Sequence, residues 1–296
     1  MNSQDRIDLH IHSTASDGTL SPREIISLAK ESNITAIAIT DHDTIDGSKE
    51  AISNGIPQSL NFLTGIELSA SPPPSFPCSG SFHILGYGID VNNKSLNEIL
   101  PVLRDARKNR NPLIIEKLNK LGIKVSLDEV SEHAKDSQIG RPHIAMTMVN
   151  KGLIKSIDEA FNKFLGKGKP AYVDKYRIDC PKAIEMINNA GGIAVLAHPF
   201  LIKPKNNESI ENLIITLKDI GISGIEAYYP EHTTEYISYY VSLAKKYNLI
   251  ITGGTDFHGD LKPNIKLGFG KGDFFVPFEF YENIVKMNEN GRLGTT

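Results

Sequence analysis

Seven short apolar runs, most of them ending in a histidine or a carboxylate, restrict the folds open to this chain more than any other property of it. They are RIDLHIHS (6–13), ITAIAIT (34–40), FLTGIEL (62–68), FHILGYGI (82–89), GIAVLAH (192–198), GISGIEAYY (221–229) and LIITGGTD (249–256). Each has the length of a strand, and most are continuously apolar, as strands covered on both faces are. Residues two apart in a strand face the same side, so His10 and His12 point together at the end of the first run. The second run leads into TDHD, with His42 between Asp41 and Asp43, and the third carries Glu67. The fourth opens with His83, the fifth ends in His198, and the seventh reaches Asp256 and His258.

Helical patterns separate these runs. Ser21, Pro22 and Glu24 form a capping box with proline at the first helical position, followed by an apolar stripe at Ile25, Leu28 and Ala29. Residues 209–221 and 233–248 read as further helices. Repeated strand-then-helix units favour a parallel sheet or barrel, in which the C-terminal strand ends converge on one mouth. The segment from about 95 to 180 breaks the rhythm. SLNEILPVLRDARKNRNPLIIEKLNKLG reads as one or two helices, with more in RPHIAMTMVNKG and SIDEAFNKFLGKG. The expected organisation is an α/β barrel from 1–99 and 181–296, with a helical insertion at 100–180 that contributes to the substrate pocket. SASPPPSFPCSGS (69–81) reads as a loop.

Composition removes several other classes. The 296 residues suffice for one large domain with an insertion. A net charge of −3 gives no global field for nucleic acid, though a local basic pocket is compatible with it. Cys78 and Cys180 are far apart and form no CxxC pair, which argues against a disulfide framework or a thiolate zinc site. No run approaches the roughly 18 apolar residues of a membrane span, and the N-terminus has no apolar signal core. A cytoplasmic enzyme with no membrane partner is the expectation.

Taken singly, each polar residue has an ordinary explanation: Asp41 and Asp43 suit turns, and a histidine at a strand end is usually just a satisfied polar group. Glu67 in an apolar run is harder to explain, because an unpaired buried carboxylate is costly. Six of the nine histidines fall at strand ends, and this joint pattern points to a polynuclear metal site.

DLHIHSTASDGTLSP, AITDHDTIDG, GIELSA, HILGYGID, AVLAHP and GTDFHG resemble, in order, the motifs of the PHP (polymerase and histidinol phosphatase) family. The resemblance implies a distorted (β/α)7 barrel with two or three divalent metal ions (Mn, Zn, Fe or Mg). It assigns His10, His12, Glu67 and Asp256 to one metal. Glu67 bridges to a second, held with His83 and His198, and Asp17, His42 and His258 hold the third. An attacking hydroxide would be held on the metals of Glu67, His83 and His198. Some family members have histidine at position 17; the carboxylate of Asp17 favours manganese, magnesium or iron relative to zinc.

RDARKNRNPLIIEKLNKLG and IGRPHIAMTMVNKG are similar to stand-alone members acting on nucleoside 3′,5′-bisphosphates and on short RNA 5′ ends. That resemblance makes Arg141 and His143 phosphate-binding residues facing the metals. Arg107 and Arg110 are weaker candidates, with a solvated helix face as the alternative, and Lys167 and Lys169 weaker still. The expected activity is hydrolysis of a nucleoside 3′,5′-bisphosphate to the 5′-monophosphate and phosphate, with a small phosphorylated nucleotide or short RNA as the only partner implied. Two other readings stay open here: a histidinol phosphate phosphatase, and a non-catalytic metal-binding module. His133 and His232 match no motif and are expected to lie away from the metals.

Overall fold

The computed structural model describes residues 5–134, 138–206 and 208–293, and within them all side chains other than those at 133 and 290–293. All seven expected strands form: β1 (Arg6–Ile11), β2 (Ile34–Ile39), β3 (Asn61–Ser71), β4 (His83–Tyr87), β5 (Ile193–Leu196), β6 (Gly224–Tyr228) and β7 (Ile250–Gly253). They lie side by side in chain order. The sheet curls until the segment after β7 meets β1, where His12 N donates to Phe257 O at 2.9 Å and Phe257 N to His10 O at 3.2 Å. Gly254 permits this approach, since a Cβ there would lie 2.3 Å from His10 N.

The sheet is not wholly parallel. β4 runs antiparallel to both β3 and β5, while the remaining pairs are parallel. A parallel return needs a crossover of a dozen or more residues, usually a helix. The link from β3 to β4 contains Pro72, Pro73, Pro74 and Pro77 and cannot supply one. The reversal decides where His83 goes: as the first residue of a reversed strand, it sits at the mouth where the other strands end. The same link, read from sequence as loop, forms a short ribbon, with Cys78–Gly80 antiparallel to Ile202–Pro204.

Ile7, Leu9, Ala36, Ala38, Leu85, Tyr87 and Val195 fill one core together with Val276, Phe280 and Ile284 near the C-terminus. Tyr87 hydroxyl donates to Leu9 O across it at 2.9 Å. Helices cover the outside, among them α1 (Pro22–Glu31) and α2 (Asp46–Asn54). The capping box of α1 forms as expected, Glu24 N donating to Ser21 Oγ and Ser21 N to Glu24. Such a cap is worth about 1 kcal/mol.

α3 (Lys94–Lys120) is one helix of 27 residues despite Pro101 and Pro112. Its buried stripe crosses two cores. Leu96, Leu100 and Leu103 pack into the barrel's outer core. Ile114, Ile115 and Leu118 pack into a separate helical core with α4 (Leu127–Ala134) and α5 (Arg141–Asn150). Between the two, the same stripe carries Arg107, Arg110 and Asn111, all buried. These arginines are therefore not a solvated face; they fill the polar gap where the two cores meet.

Candidate metal centre

Glu67, the seventh of the eleven residues of β3 and 1% exposed, is the hub of the mouth. Its Oε1 lies 2.7 Å from His83 Nδ1 and 2.8 Å from His198 Nε2. Its Oε2 lies 3.0 Å from His42 Nδ1, 3.2 Å from His12 Nε2 and 3.4 Å from His10 Nε2. Burial alone would raise the carboxyl's pKa, but His42, His83 and His10 hold it well below the usual carboxylate range. Five imidazoles around one carboxylate exceed what a fold needs to satisfy a single charge.

Asp256 Oδ1 closes the cluster on one side, 3.2 Å from His12 Nε2 and 3.4 Å from His258 Nδ1. Its Oδ2 is taken by the Tyr229 hydroxyl at 3.0 Å and Lys262 Nζ at 2.6 Å. Asp17 closes the other side, with Oδ1 3.6 Å from His258 Nε2 and 3.7 Å from His12 Nδ1. All nine residues expected from the sequence motifs thus meet in one place. Atoms of seven of them form three overlapping groups, which leave out His198 and Asp256: His12, Asp17, His42 and His258; His10, His12 and Glu67; and His42, Glu67 and His83. His12, His42 and Glu67 each belong to two groups, so the division differs from the one the resemblance assigns.

The donors suit divalent metals by more than proximity. His10 Nε2, His12 Nε2, His42 Nδ1 and Asp17 Oδ1 are buried without a hydrogen-bond partner, an arrangement that is expensive unless a cation accepts their lone pairs. Burial also lowers the pKa of His83 and His258 and pushes His42 down to about 4, leaving these three rings neutral, as ligation requires, whereas at His10 and His12 the surrounding carboxylates outweigh burial and raise it. The backbone is strained at the same place: Asp43, His198 and Asp256 have φ of 57°, 22° and 53°.

Several further residues support this cluster. Glu226, fully buried on β6, holds His10 Nδ1 at 2.8 Å and accepts from His198 N at 2.7 Å. Asp41 accepts from Ser13 N, Ser13 Oγ and Ser16 Oγ, locking the loop that carries Asp17. Asp43 accepts from Ser69 and pairs with Arg107 at 3.1 Å and Lys175 at 2.8 Å. Burial would raise the Asp43 carboxyl, but Lys175 and Arg107 hold it well below its ordinary value. Asp41 and Asp43, plausible turn residues in sequence, are in fact anchors.

A cavity of about 450 Å³ opens on the cluster. Much of its lining is cationic, built from Arg107, Arg110, Arg141, Lys167, Lys175 and Arg177, with Phe161 and Tyr172 among them, and Arg107 also reaches Asp17 Oδ2 at 3.4 Å. Arg141 donates to Leu165 O at 3.0 Å, with Phe161 and Tyr172 ring centroids 5.5 and 5.6 Å from its guanidinium carbon. Among the described residues neither Arg110 nor Arg141 makes an ion pair, and burial followed by neighbouring cations lowers the pKa of Arg110. His143 is buried, with Nδ1 accepting from Gly140 N at 3.0 Å; a neutral ring then carries its proton on Nε2, which has no partner. Lys169 is exposed and lies outside the cavity lining. His232 is buried behind Tyr229, with Nδ1 on Ala227 O at 2.8 Å; the His133 side chain lies outside the described residues.

Comparison with known proteins agrees with this geometry. The PHP domain model matches residues 8–251. The chain is 34% identical over 253 residues to a 5′-3′ exoribonuclease of Haemophilus influenzae, spanning 86% of this chain and 90% of that one. It is 33% identical to a 3′,5′-nucleoside bisphosphate phosphatase of Chromobacterium violaceum, spanning 85% and 87%. A solved structure of a Bifidobacterium adolescentis protein, assigned as a metal-dependent phosphoesterase, superposes with a TM-score of 0.82 at 27% identity, over 96% of each chain. No helix among the described residues is long and apolar enough to cross a membrane.

Proposed function

The chain belongs to the PHP domain family and is a metal-dependent phosphoesterase; from that premise we infer that it removes the 3′-phosphate of a nucleoside 3′,5′-bisphosphate and also acts on short 5′-phosphorylated RNA. The observation that carries this reading is a pair of arginines without a carboxylate ion pair among the described residues, Arg110 buried and Arg141 half-buried, lining the same cavity as the Glu67 cluster. Uncompensated buried charge is costly, and a cationic wall of this density fits a dianion far better than an empty pocket. A substrate with two phosphates satisfies both ends of the cavity.

In this reading His10, His12, Glu67 and Asp256 hold one metal, Glu67, His83 and His198 a second, and Asp17, His42 and His258 a third. Bound metals lower the pKa of water and neutralise charge on the reacting phosphate. The chain's own residues do the rest. Glu226 and Asp256 fix the imidazoles. His143 offers an Nε2–H to a phosphate oxygen, and Arg141, Arg110 and Lys175 hold the second phosphate. Water attacks phosphorus, the P–O3′ bond breaks, and O3′ takes a proton, giving the 5′-monophosphate and phosphate. Residues 100–180 form the insertion that supplies most of the cationic wall, with α3 shared between insertion and barrel.

Histidinol phosphate has one phosphate and an ammonium group, which this wall would repel. A panel of adenosine 3′,5′-bisphosphate, histidinol phosphate and a 5′-phosphorylated short RNA, assayed with manganese, tests the proposal. The bisphosphate is expected to be turned over well and histidinol phosphate poorly. The reverse order would replace this function with the histidinol reading, and turnover of none of the three would favour a non-catalytic module.

A further inference from the structure

The proposed chemistry cuts the same P–O3′ bond whether the 3′-phosphate is terminal or esterified to a following nucleotide. In the second case the rest of the strand must leave the cavity. Ring contacts lead outward from there. The Tyr229 ring lies 5.6 Å from His198, His232 5.3 Å from Tyr229, Phe200 6.1 Å from His232, and Tyr236 5.2 Å from Phe200. The series begins at the cavity wall, which Tyr229 and Leu201 line. It ends at the surface, where Tyr236 is 41% exposed.

Phe200 is half-buried, and Lys203 Nζ sits 4.3 Å from its ring centroid. Lys203 and the exposed Lys205 lie on and just beyond the ribbon strand Ile202–Pro204. Of the nearby acids, Glu231, which lines the cavity, and Glu235 belong to α8 (Thr234–Lys246, α6 being Cys180–Asn189 and α7 Ile210–Asp219) and the loop before it, while Glu208, whose N donates to Lys205 O at 3.0 Å, follows the ribbon. Lys203 and Lys205 suit a phosphate backbone on the ribbon side, with bases over the rings. Aromatic faces beside lysines are what single-stranded nucleic acid binds without sequence preference.

We propose that Phe200, Tyr236 and Lys203 form a landing for the 3′ continuation of a single-stranded RNA whose 5′ nucleotide occupies the cavity; the inference rests on the functional reading above. Each cycle consumes one water, breaks one P–O3′ bond, places a proton on O3′, and leaves an oligonucleotide one unit shorter with a new 5′-phosphate.

The test measures kcat/KM for adenosine 3′,5′-bisphosphate and for 5′-phosphorylated RNA from dinucleotide to pentanucleotide, with manganese, in wild type, Tyr236→Ala, Tyr236→Phe and Lys203→Glu. Wild type is expected to improve with length. Tyr236→Ala and Lys203→Glu should each lose about fivefold or more on the longer RNAs, with bisphosphate turnover unchanged as proof of an intact fold, and Tyr236→Phe should behave as wild type. A flat length dependence, or losses of equal size on bisphosphate and RNA, would overturn the landing. If wild type hydrolyses RNA with the expected length dependence but ignores the bisphosphate, the functional reading falls and the landing stands. Turnover of neither removes both.

Discussion

Glu226 holds His10 by its Nδ1 at 2.8 Å, and this one contact decides which nitrogen of the ring faces Glu67. With the proton committed to Nδ1, the lone pair on Nε2 is left pointing into the cluster. Glu226 makes no contact with the cavity and lines none of it. Its second oxygen accepts from His198 N at 2.7 Å, so it braces two strand ends at once.

The Glu226→Gln variant is therefore expected to bind manganese about 10- to 100-fold more weakly, the usual cost of losing such a support. Calorimetric titration of metal-free protein reads this directly, with circular dichroism as a check on the fold. Unchanged affinity would mean that the ring is oriented by packing alone.

Glu67 touches five imidazoles, whereas Asp17 touches one side of the cluster. Elemental analysis after loading should show Glu67→Gln losing more than one metal equivalent and Asp17→Asn losing about one. Equal losses from the two variants would refute the bridging role of Glu67.

Lys175 supplies a pH prediction. Burial pushes its pKa down to about 8, partly offset by Asp43 and reinforced by Arg107. As pH rises through that value the ammonium loses its charge, so attraction for an anionic substrate weakens. The free-enzyme profile, kcat/KM, should fall above about pH 8. In Lys175→Arg, whose cation does not titrate there, this limb should move to higher pH. An identical profile in the variant would place the titrating group elsewhere.

The cluster of candidate ligands was legible in sequence because ligation would demand particular residue types at strand ends, and strand ends are marked by where apolar runs stop. His10 and His12, two apart, needed only strand periodicity. The reversal of β4 was less visible, although the proline-rich link before His83 carried the signal. Arg107 and Arg110 were under-read: they continue the three- and four-residue spacing of Leu96, Leu100 and Leu103 toward Ile114 and Leu118, and arginine on a buried stripe marks a polar cavity. Glu226 carried the same signal as Glu67, a carboxylate inside an apolar run, and went unread; Lys175 carried none. It sits in an irregular segment, and only the packing of distant segments gives either residue a role.

Arg141 offers the sharpest test of the substrate pocket. It lies at the start of α5, with Phe161 and Tyr172 about it and one N–H already donated to Leu165 O, so the guanidinium is held in place before substrate arrives. It touches none of the nine proposed ligands, and Arg141→Ala should keep its full metal content. A planar fork binding phosphate oxygens is worth about 2–4 kcal/mol of transition-state stabilisation, or about 30- to 1,000-fold in kcat/KM on adenosine 3′,5′-bisphosphate. Arg141→Lys should recover only part of this, because a point charge neither stacks between the rings nor binds in bidentate fashion. The loss should be smaller for a simple nucleoside 3′-monophosphate, which presents no second phosphate to the cationic wall. If Arg141→Ala hydrolyses the bisphosphate as fast as wild type, the wall serves the fold and not the substrate, and recognition of the second phosphate must be sought elsewhere.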